Sequence, residues 1–407
     1  MSDAAASHNV RWLLPGPEAE LHRTLVALDP EAGGLAMRRA VTAALLVDDL
    51  SLDQLRVVER SLAAAGGEVV RAEEGGRALL LGPRNALGAV APALRDFSDR
   101  APFAELAAAI EQALLALGRP PPALAWGGER WLFGARTYVL GIVNVTPDSF
   151  SGDGIAGDPD RAVAHARRLV AEGADAIDVG GESTRPGHRP VAAAEELERV
   201  VPVVERLAGT LGVPISVDTS KAVVAEAALA AGADAVNDVH GLLFDPGLAG
   251  VVARAGAAVF CMHDGEGIPP GDPVGVVLAG LRRSLAAAAA AGVPPERCVV
   301  DPGIGFGKDT GQNLALLRRL DELRALGRPI LVGTSRKSHI GAVLGGRPAQ
   351  GRLLGTAATV AWAAAHGADI VRVHDVSAMR DVCRVVDAIR AGGADGGEGG
   401  SRGARPE

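Results

Sequence analysis

The chain has 407 residues, of which 48% are hydrophobic, enough for one barrel-sized domain of about 250 residues and a smaller companion. Its net charge of −8 comes from interspersed acids and bases, which argues against a nucleic-acid partner, since that would favour a basic stripe. Cys261, Cys298 and Cys383 stand in no metal-ligand spacing and read as reduced thiols of a cytoplasmic protein; residues 1–14 lack the pattern of a signal peptide, and the alanine-rich run 285–291 is too short to span a membrane.

Residues 1–125 read as a small α/β domain whose role the sequence leaves open. Residues 43–47 and 77–81 have the pattern of strands, and Ser51 is placed to cap a helix that stops at Gly66-Gly67. The pair Asp48-Asp49 at a strand end resembles the acidic pair of a phospho-receiver domain. No later strand-end Asp or Lys completes such a site, so both read as solvated turn carboxylates. Pro120-Pro121-Pro122 suggest a stiff extended join, and 126–135 reads as linker. A chain shortened to begin near residue 130 is therefore expected to fold and work.

Residues 136–391 carry a repeated pattern of apolar runs that end in polar residues. The runs are YVLGIVNV, AIDVGG, ISVDTS, AVNDV, AVFCMH, CVVDPG, ILVGTS and IVRVHD, starting at Tyr138, Ala176, Ile215, Ala235, Ala258, Cys298, Ile330 and Ile370. Such runs suit parallel strands buried on both faces. Helical stretches separate them. Asp158-Pro159 is an N-cap followed by proline at the first helical position, and Val163, Ala166, Leu169 and Val170 then share one face. Gly173-Ala174, Gly232-Ala233, Gly256-Ala257 and Gly367-Ala368 end helices just before strands. The fold class predicted is α/β, a (β/α)8 TIM barrel. A doubly wound open sheet fits less well, because the polar strand ends occur at all eight runs and not at one switch point. Residues 392–407 contain no apolar residue larger than alanine and read as a disordered tail.

In a barrel of this kind chemistry sits at the C-terminal ends of the strands. Those ends present Asn144, Asp178, Asp218, Asn237 with Asp238, Met262 with His263, Asp301, Ser335-Arg336-Lys337, and Arg372 with His374 and Asp375. A lone Asp among them would read as a cap or turn residue. The set reads as a site. Asp218 and Asp301 could each accept paired N–H donors from a flat heterocycle with a 2-amino-4-oxo edge, and Asn237 can both donate and accept. Arg185, Lys337, Arg372 and His374 point to an anion. The loops TPDSFSGDG and GGESTRPG suit mobile lids, with Phe150 and Arg185 at their tips. In DPGIGFG, Phe306 suits a wall against an aromatic substrate.

The segments GIVNVTPDSFS (141–151), GGESTRPG (180–187), SVDTSK (216–221), NDV (237–239), DPGIGFGK (301–308), GTSRKS (333–338) and RVHDV (372–376) resemble the dihydropteroate synthase family, over about 255 residues and in the same order. The resemblance implies a transferase that joins a hydroxymethyl-dihydropterin diphosphate to p-aminobenzoate and releases diphosphate, in folate biosynthesis. It implies that Asp218, Asn237, Asp301 and Lys337 hold the pterin, that Met262 packs on it, and that Asn144 ligates Mg2+. Arg185, Arg372 and His374 would hold the diphosphate, and Thr184, Pro186, Phe306 and Ser338 would line the aminobenzoate site. Lys337, Asp218, Asp301 and Arg372 are the expected catalytic groups. It further implies a cytoplasmic homodimer with small-molecule substrates and neither nucleic-acid nor membrane partners. The first loop departs from the family's usual SFSDGG: here it reads SFSGDG, which leaves open whether Asp153 or Asp148 is its acidic residue. The run after Met262-His263 also differs. A methyl-tetrahydropterin methyltransferase and a non-catalytic pterin-binding protein are the alternatives.

Overall fold

The computed structural model describes residues 42–72, 76–97, 99–117, 119–146, 158–182, 191–265, 268 and 271–392. The chain divides into two compact units, Met1–Gly118 and Arg119–Glu407. The first holds a three-stranded antiparallel sheet in the order β1 (Thr42–Val47), β3 (Ala78–Pro83), β2 (Glu68–Arg71). Ser51 caps the helix Leu52–Ala64 through a capping box with Gln54. That helix and Ala101–Ala116 bury Val58, Leu62, Ala107 and Ile110 with Leu80 of β3. Asp48 pairs with Arg77 at the surface. β2 escapes a reading of the sequence because its four residues are mostly exposed and do not alternate.

The stretch 126–135 is not a linker. β4 (Leu124–Trp126) and β5 (Glu129–Trp131) form an antiparallel hairpin. Gly127 and Gly128 turn it, with φ of +55° and +76°, the positive pair that a two-residue hairpin turn requires. A Cβ on Gly127 would lie 2.8 Å from Pro214, so the turn also needs a bare backbone.

Eight parallel strands follow: β6 (Tyr138–Asn144), β7 (Ala176–Gly180), β8 (Ile215–Asp218), β9 (Ala235–Asp238), β10 (Ala258–Met262), β11 (Cys298–Asp301), β12 (Leu331–Val332) and β13 (Ile370–Val373). They pair in sequence order, and β13 pairs with β6. A parallel bridge between Val300 and Ile330 closes the ring between β11 and β12. All eight expected strands are present.

Period-two alternation sorts the strand residues into two cores. Ile177, Val179, Ile215, Val217, Val236, Val259, Val300, Val332, Val371 and Val373 face the surrounding helices. Tyr138, Leu140, Ala176, Ala235, Ala258, Phe260, Val299, Leu331 and Ile370 cluster with Trp126, Trp131 and Phe133 of the hairpin segment. Three of these strand residues are alanines, which leaves room for the indoles. Trp131 stacks on Tyr138 at 4.1 Å, and Trp126 meets Phe260 edge-on at 5.3 Å. The N-terminal end of the barrel is thus plugged with aromatic carbon, and two positions further along β7, β9, β11 and β13 stand the polar residues Asp178, Asn237, Asp301 and Arg372.

Gly-Ala-Asp recurs before β7, β9 and β13, and its aspartate has a use. Asp175, Asp234 and Asp369 each accept a backbone N–H at the start of the neighbouring strand, from Val139 (2.8 Å), Ile215 (2.9 Å) and Ile330 (2.9 Å). These donors lie where the parallel ladder begins and would otherwise be left unpaired. Gly173, Gly232, Gly256 and Gly367 have φ between +60° and +107°, the left-handed turn expected of them. The alanine run at 285 is the end of a longer helix, Pro273–Ala290, which is long and apolar enough to cross a membrane. Its residues Val274, Val277, Leu281 and Ala288 are buried in the outer core, as a barrel helix requires.

The hairpin moves the point at which the chain can be shortened. A chain beginning at residue 119 keeps β4, whereas one beginning at 130 loses Leu124 and Trp126. Urea unfolding followed by circular dichroism should show the shorter one less stable by about 3–5 kcal/mol. Equal stabilities would mean that the plug is not part of the barrel core.

Candidate active site

The inward register continues past the hydrocarbon floor. Two residues beyond Ala176, Ala235, Phe260, Val299 and Ile370 come Asp178, Asn237, Met262, Asp301 and Arg372, and Asp218 stands level with Asn237 across β8 and β9. Five of these six are at most 8% exposed, and Arg372 is only partly accessible. Buried charges must be paired or hydrogen-bonded. Here Arg372 Nε donates to Asp178 Oδ2 at 2.6 Å, and its Nη2 donates to Asp218 Oδ2 at 2.7 Å. Asp178 also accepts from the Asn237 amide at 3.0 Å and from the Ser216 hydroxyl. Asp301 accepts from Gly303 N at 2.7 Å.

Lys337 completes the set from the loop after β12. Its ammonium lies 3.7 Å from the centre of the Phe306 ring, a cation–π contact. Gly305, at φ +84°, makes this possible, because a Cβ there would lie 2.8 Å from Lys337 Cδ. Arg336, just before Lys337, holds φ at +58°. Its guanidinium forks onto Asp375 at 3.0 and 2.6 Å, and its N–H donates to Thr356. A non-glycine residue persists in that conformation when its surroundings over-determine it.

Burial sets the titration of these groups. It pushes Asp218 up to about 7, against the pull of Arg372 and with Asp178 adding to the rise. It pushes Asp301 up to about 6, against the Gly303 N–H and the charges of Lys337, Lys308 and Arg372. Burial and the neighbouring Arg372 bring Lys337 down to about 7, against Asp301 and Asp218. Each charge is short of solvation where it is buried, so a ligand that offers fixed donors and acceptors gains where water cannot.

The other expected residues divide into three groups. Asn144 ends β6 half-buried. Across the bare backbone of Gly180, whose Cβ position lies 3.8 Å from Asn144 Oδ1 and 3.4 Å from Asp218 Cβ, it stands beside the carboxylate cluster. His374 Nδ1 pairs with the Ser335 hydroxyl at 2.9 Å, and Ser338 opens the helix Ser338–Val343. Thr184, Arg185, Pro186, Phe150, Asp148 and Asp153 lie outside the described residues. Arg372, expected on the diphosphate, donates to Asp178 and Asp218. One expectation is corrected. Asp238 faces away from the barrel interior and fixes its own loop, accepting from Ser220, His240 N (3.0 Å) and Leu242 N (2.6 Å). The central place of Asp178 does not follow from the sequence, although a charged residue inside the run AIDVG is its signal. Ser216 and Lys308 likewise emerge as structural partners only in the fold.

Asp301→Asn keeps the acceptor for Gly303 N and removes the charge. A carboxyl whose folded pKa is raised costs stability above that pKa, and the cost vanishes below the unfolded value. The ligand-free variant should therefore be more stable than the parent by roughly 1–3 kcal/mol at pH 8, with the difference shrinking as pH falls from about 6 towards 4. Chemical denaturation across that range reads it out, and a variant less stable at pH 8 would contradict it.

Comparison with known proteins agrees with this geometry. Residues 140–374 match the family model described as pterin binding enzyme. A dihydropteroate synthase of Synechocystis sp. is 46% identical over 277 residues, covering 66% of this chain and 96% of that protein. The dihydropteroate synthase of Xanthomonas albilineans, solved with 4-aminobenzoic acid, superposes with a TM-score of 0.63 at 45% identity and covers 67% of this chain and 99% of its own. That of Burkholderia cenocepacia, complexed with 7,8-dihydropteroate, gives a TM-score of 0.61 at 44% identity, over 67% and 98% of the two chains. With the polar set at the strand ends and these matches spanning the barrel, the chain belongs to the pterin binding enzyme family, among its dihydropteroate synthases.

Proposed function

We propose that this chain condenses 6-hydroxymethyl-7,8-dihydropterin diphosphate with p-aminobenzoate to give 7,8-dihydropteroate and diphosphate. The observation that carries the reading is a polar layer above the apolar floor of the barrel, in which Arg372, Asp178, Asp218 and Asn237 are joined by hydrogen bonds and Asp301 stands on β11. Asp218 and Asp301 are acceptors for the paired N–H donors of the 2-amino-4-oxo edge. Asn237 commits its amide nitrogen to Asp178 and offers its carbonyl oxygen to the ring. Met262 packs on the ring, and Lys337 supplies a donor. Arg372 serves this pterin end, where it donates to Asp178 and Asp218, and the diphosphate falls to Arg185 and His374.

The reaction breaks the bond between the pterin methylene carbon and the diphosphate oxygen, and forms one between that carbon and the aniline nitrogen, which then loses a proton. The aniline is already neutral at pH 7, so no base is needed to activate it. Positioning and leaving-group charge dominate. Thr184, Pro186, Phe306 and Ser338 line the aminobenzoate side in this reading.

Mg2+ typically takes one or two protein oxygens together with substrate phosphates, and keeps several waters. Asn144 suits that role, with a hard carbonyl oxygen at the half-buried end of β6. Among the described residues no cluster of three or more His, Cys, Asp or Glu could hold a metal, which fits an ion shared with the substrate. When bound, it would neutralise charge on the departing diphosphate.

A homodimer is part of the proposal. Leu353, Leu354 and Trp362 on the helix Leu353–Ala365, and Val385 and Ile389 on the helix Val376–Ala391, are exposed on two helices packed against each other. A second copy presenting the same face would cover them, and sedimentation at twice the 41.3 kDa chain mass reads that out. Cys261, Cys298 and Cys383 are free and buried, which supports a reducing cytoplasmic compartment.

Diphosphate release tests the reading. With dihydropterin diphosphate, p-aminobenzoate and Mg2+, the chain should release one diphosphate per dihydropteroate. Chelation should stop release and added Mg2+ restore it, and Asn144→Ala should raise the Mg2+ needed by roughly tenfold. No release under any condition would refute the synthase reading in favour of methyl transfer or non-catalytic pterin binding.

A further inference from the structure

Lys308 ends the DPGIGFGK motif and reaches back beneath it. Its ammonium donates to three backbone carbonyls, those of His263 (3.0 Å), Gly303 (3.0 Å) and Phe306 (3.1 Å). Three N–H donors thus meet three acceptors, which satisfies the group completely. The acceptors belong to two loops, one after β10 and one after β11. We propose that Lys308 is a positioning residue for the second substrate: it ties these loops into one rigid wall and so fixes Phe306 against Lys337. The proposal rests on the assignment of Phe306 to the aminobenzoate side.

The two loops approach as closely as bare backbone permits. A Cβ on Gly303 would lie 1.9 Å from the His263 carbonyl oxygen, and one on Gly265 would lie 2.1 Å from that of Phe306. A Cβ on Gly307 would come within 2.7 Å of the Asp264 carbonyl oxygen. Three carbonyl dipoles converge on one small volume, which is favourable only with a cation inside it. The far side of the loop has separate anchors. Asn313 accepts from Gly305 N at 2.6 Å and donates to the carbonyls of Lys308 and Asp309. Loss of the ammonium therefore parts the loops on the Phe306 side while Asn313 still holds the other. Asp301 belongs to β11 itself, so the pterin side moves less.

The charged groups facing Lys308 come from every element around it: Asp301 from β11, Asp264 and His263 from the loop after β10, and Lys337 from the loop after β12. Burial outweighs the two carboxylates and brings the Lys308 ammonium down to about 8. Above that pH a neutral amine has two donors for three carbonyls.

The test is a comparison of substrates. In Lys308→Met the KM for p-aminobenzoate should rise on the order of tenfold or more, while the Kd for the dihydropterin diphosphate, measured by calorimetry, stays within about threefold. Lys308→Arg, which keeps charge and donors, should recover part of the loss. If Lys308→Met does not fold, Lys308→Gln supplies the same readout: its KM for p-aminobenzoate should rise more than its pterin Kd. Equal losses for the two substrates, or no change in either, would overturn the proposal. Turnover by the parent enzyme in the same assay tests the condensation itself, so failure of that reading would show there and not in the comparison.

Discussion

Inside a barrel walled by Val, Ala and aromatic carbon, Arg372 donates to Asp178 and Asp218, each within 2.7 Å. The part of the site built on β7, β8 and β9 depends on this bridge. Two buried carboxylates on neighbouring strands repel each other, and burial favours the protonated form of Asp218. The guanidinium between them opposes that protonation, and its planar fork sets the directions of both carboxylates. Breaking such a group by removing one member leaves an uncompensated charge, at a cost of about 3–5 kcal/mol. The same group makes the site selective, since its carboxylates are satisfied best by a ligand that carries donors in a fixed plane.

The fold closes the floor beneath that cluster. The hairpin β4–β5 fills the N-terminal end with Trp126 and Trp131, and small alanines on β7, β9 and β10 admit them. The inward-facing charged side chains are then left to the other end of the strands. There, glycines let backbones and charges meet: Gly180 between Asn144 and Asp218, Gly305 beneath Lys337, and Gly265 and Gly303 where two loops interlock. The conformational freedom of these residues matters less than their lack of a side chain. The charged groups themselves destabilise the empty barrel, which is the usual relation between an active site and stability.

Much of this is legible in the residues. Eight apolar runs with polar ends read as eight strands, because parallel strands buried on both faces carry no competing signal. Asp218, Asn237, Asp301 and Lys337 stand out for a related reason: a polar or charged group that closes a buried apolar run must be answered by a partner or a ligand. What a sequence does not carry is partnership. The register that sets Asp218 beside Asn237, and turns Asp238 outward, depends on pleat direction, which a four-residue run does not reveal. Arg372 is visible as a buried cation, but the sequence does not say whether a carboxylate or a phosphate answers it. The hairpin plug is hidden because each of its strands is three residues long, too short to show a period. The glycines of Gly-Ala-Asp announce helix ends, while the aspartates that follow them announce nothing, because their acceptor role exists only once strands lie side by side.

The bridge can be measured directly by carbon NMR of aspartate side-chain carboxyls, with the Asp218 signal assigned by its loss in Asp218→Asn. In the ligand-free protein the account predicts that Asp218 titrates with a higher midpoint in Arg372→Met than in the parent, because the guanidinium opposes the effect of burial. An unchanged midpoint would mean that Arg372 does not hold the charge of Asp218, and the site would have to be built on another interaction.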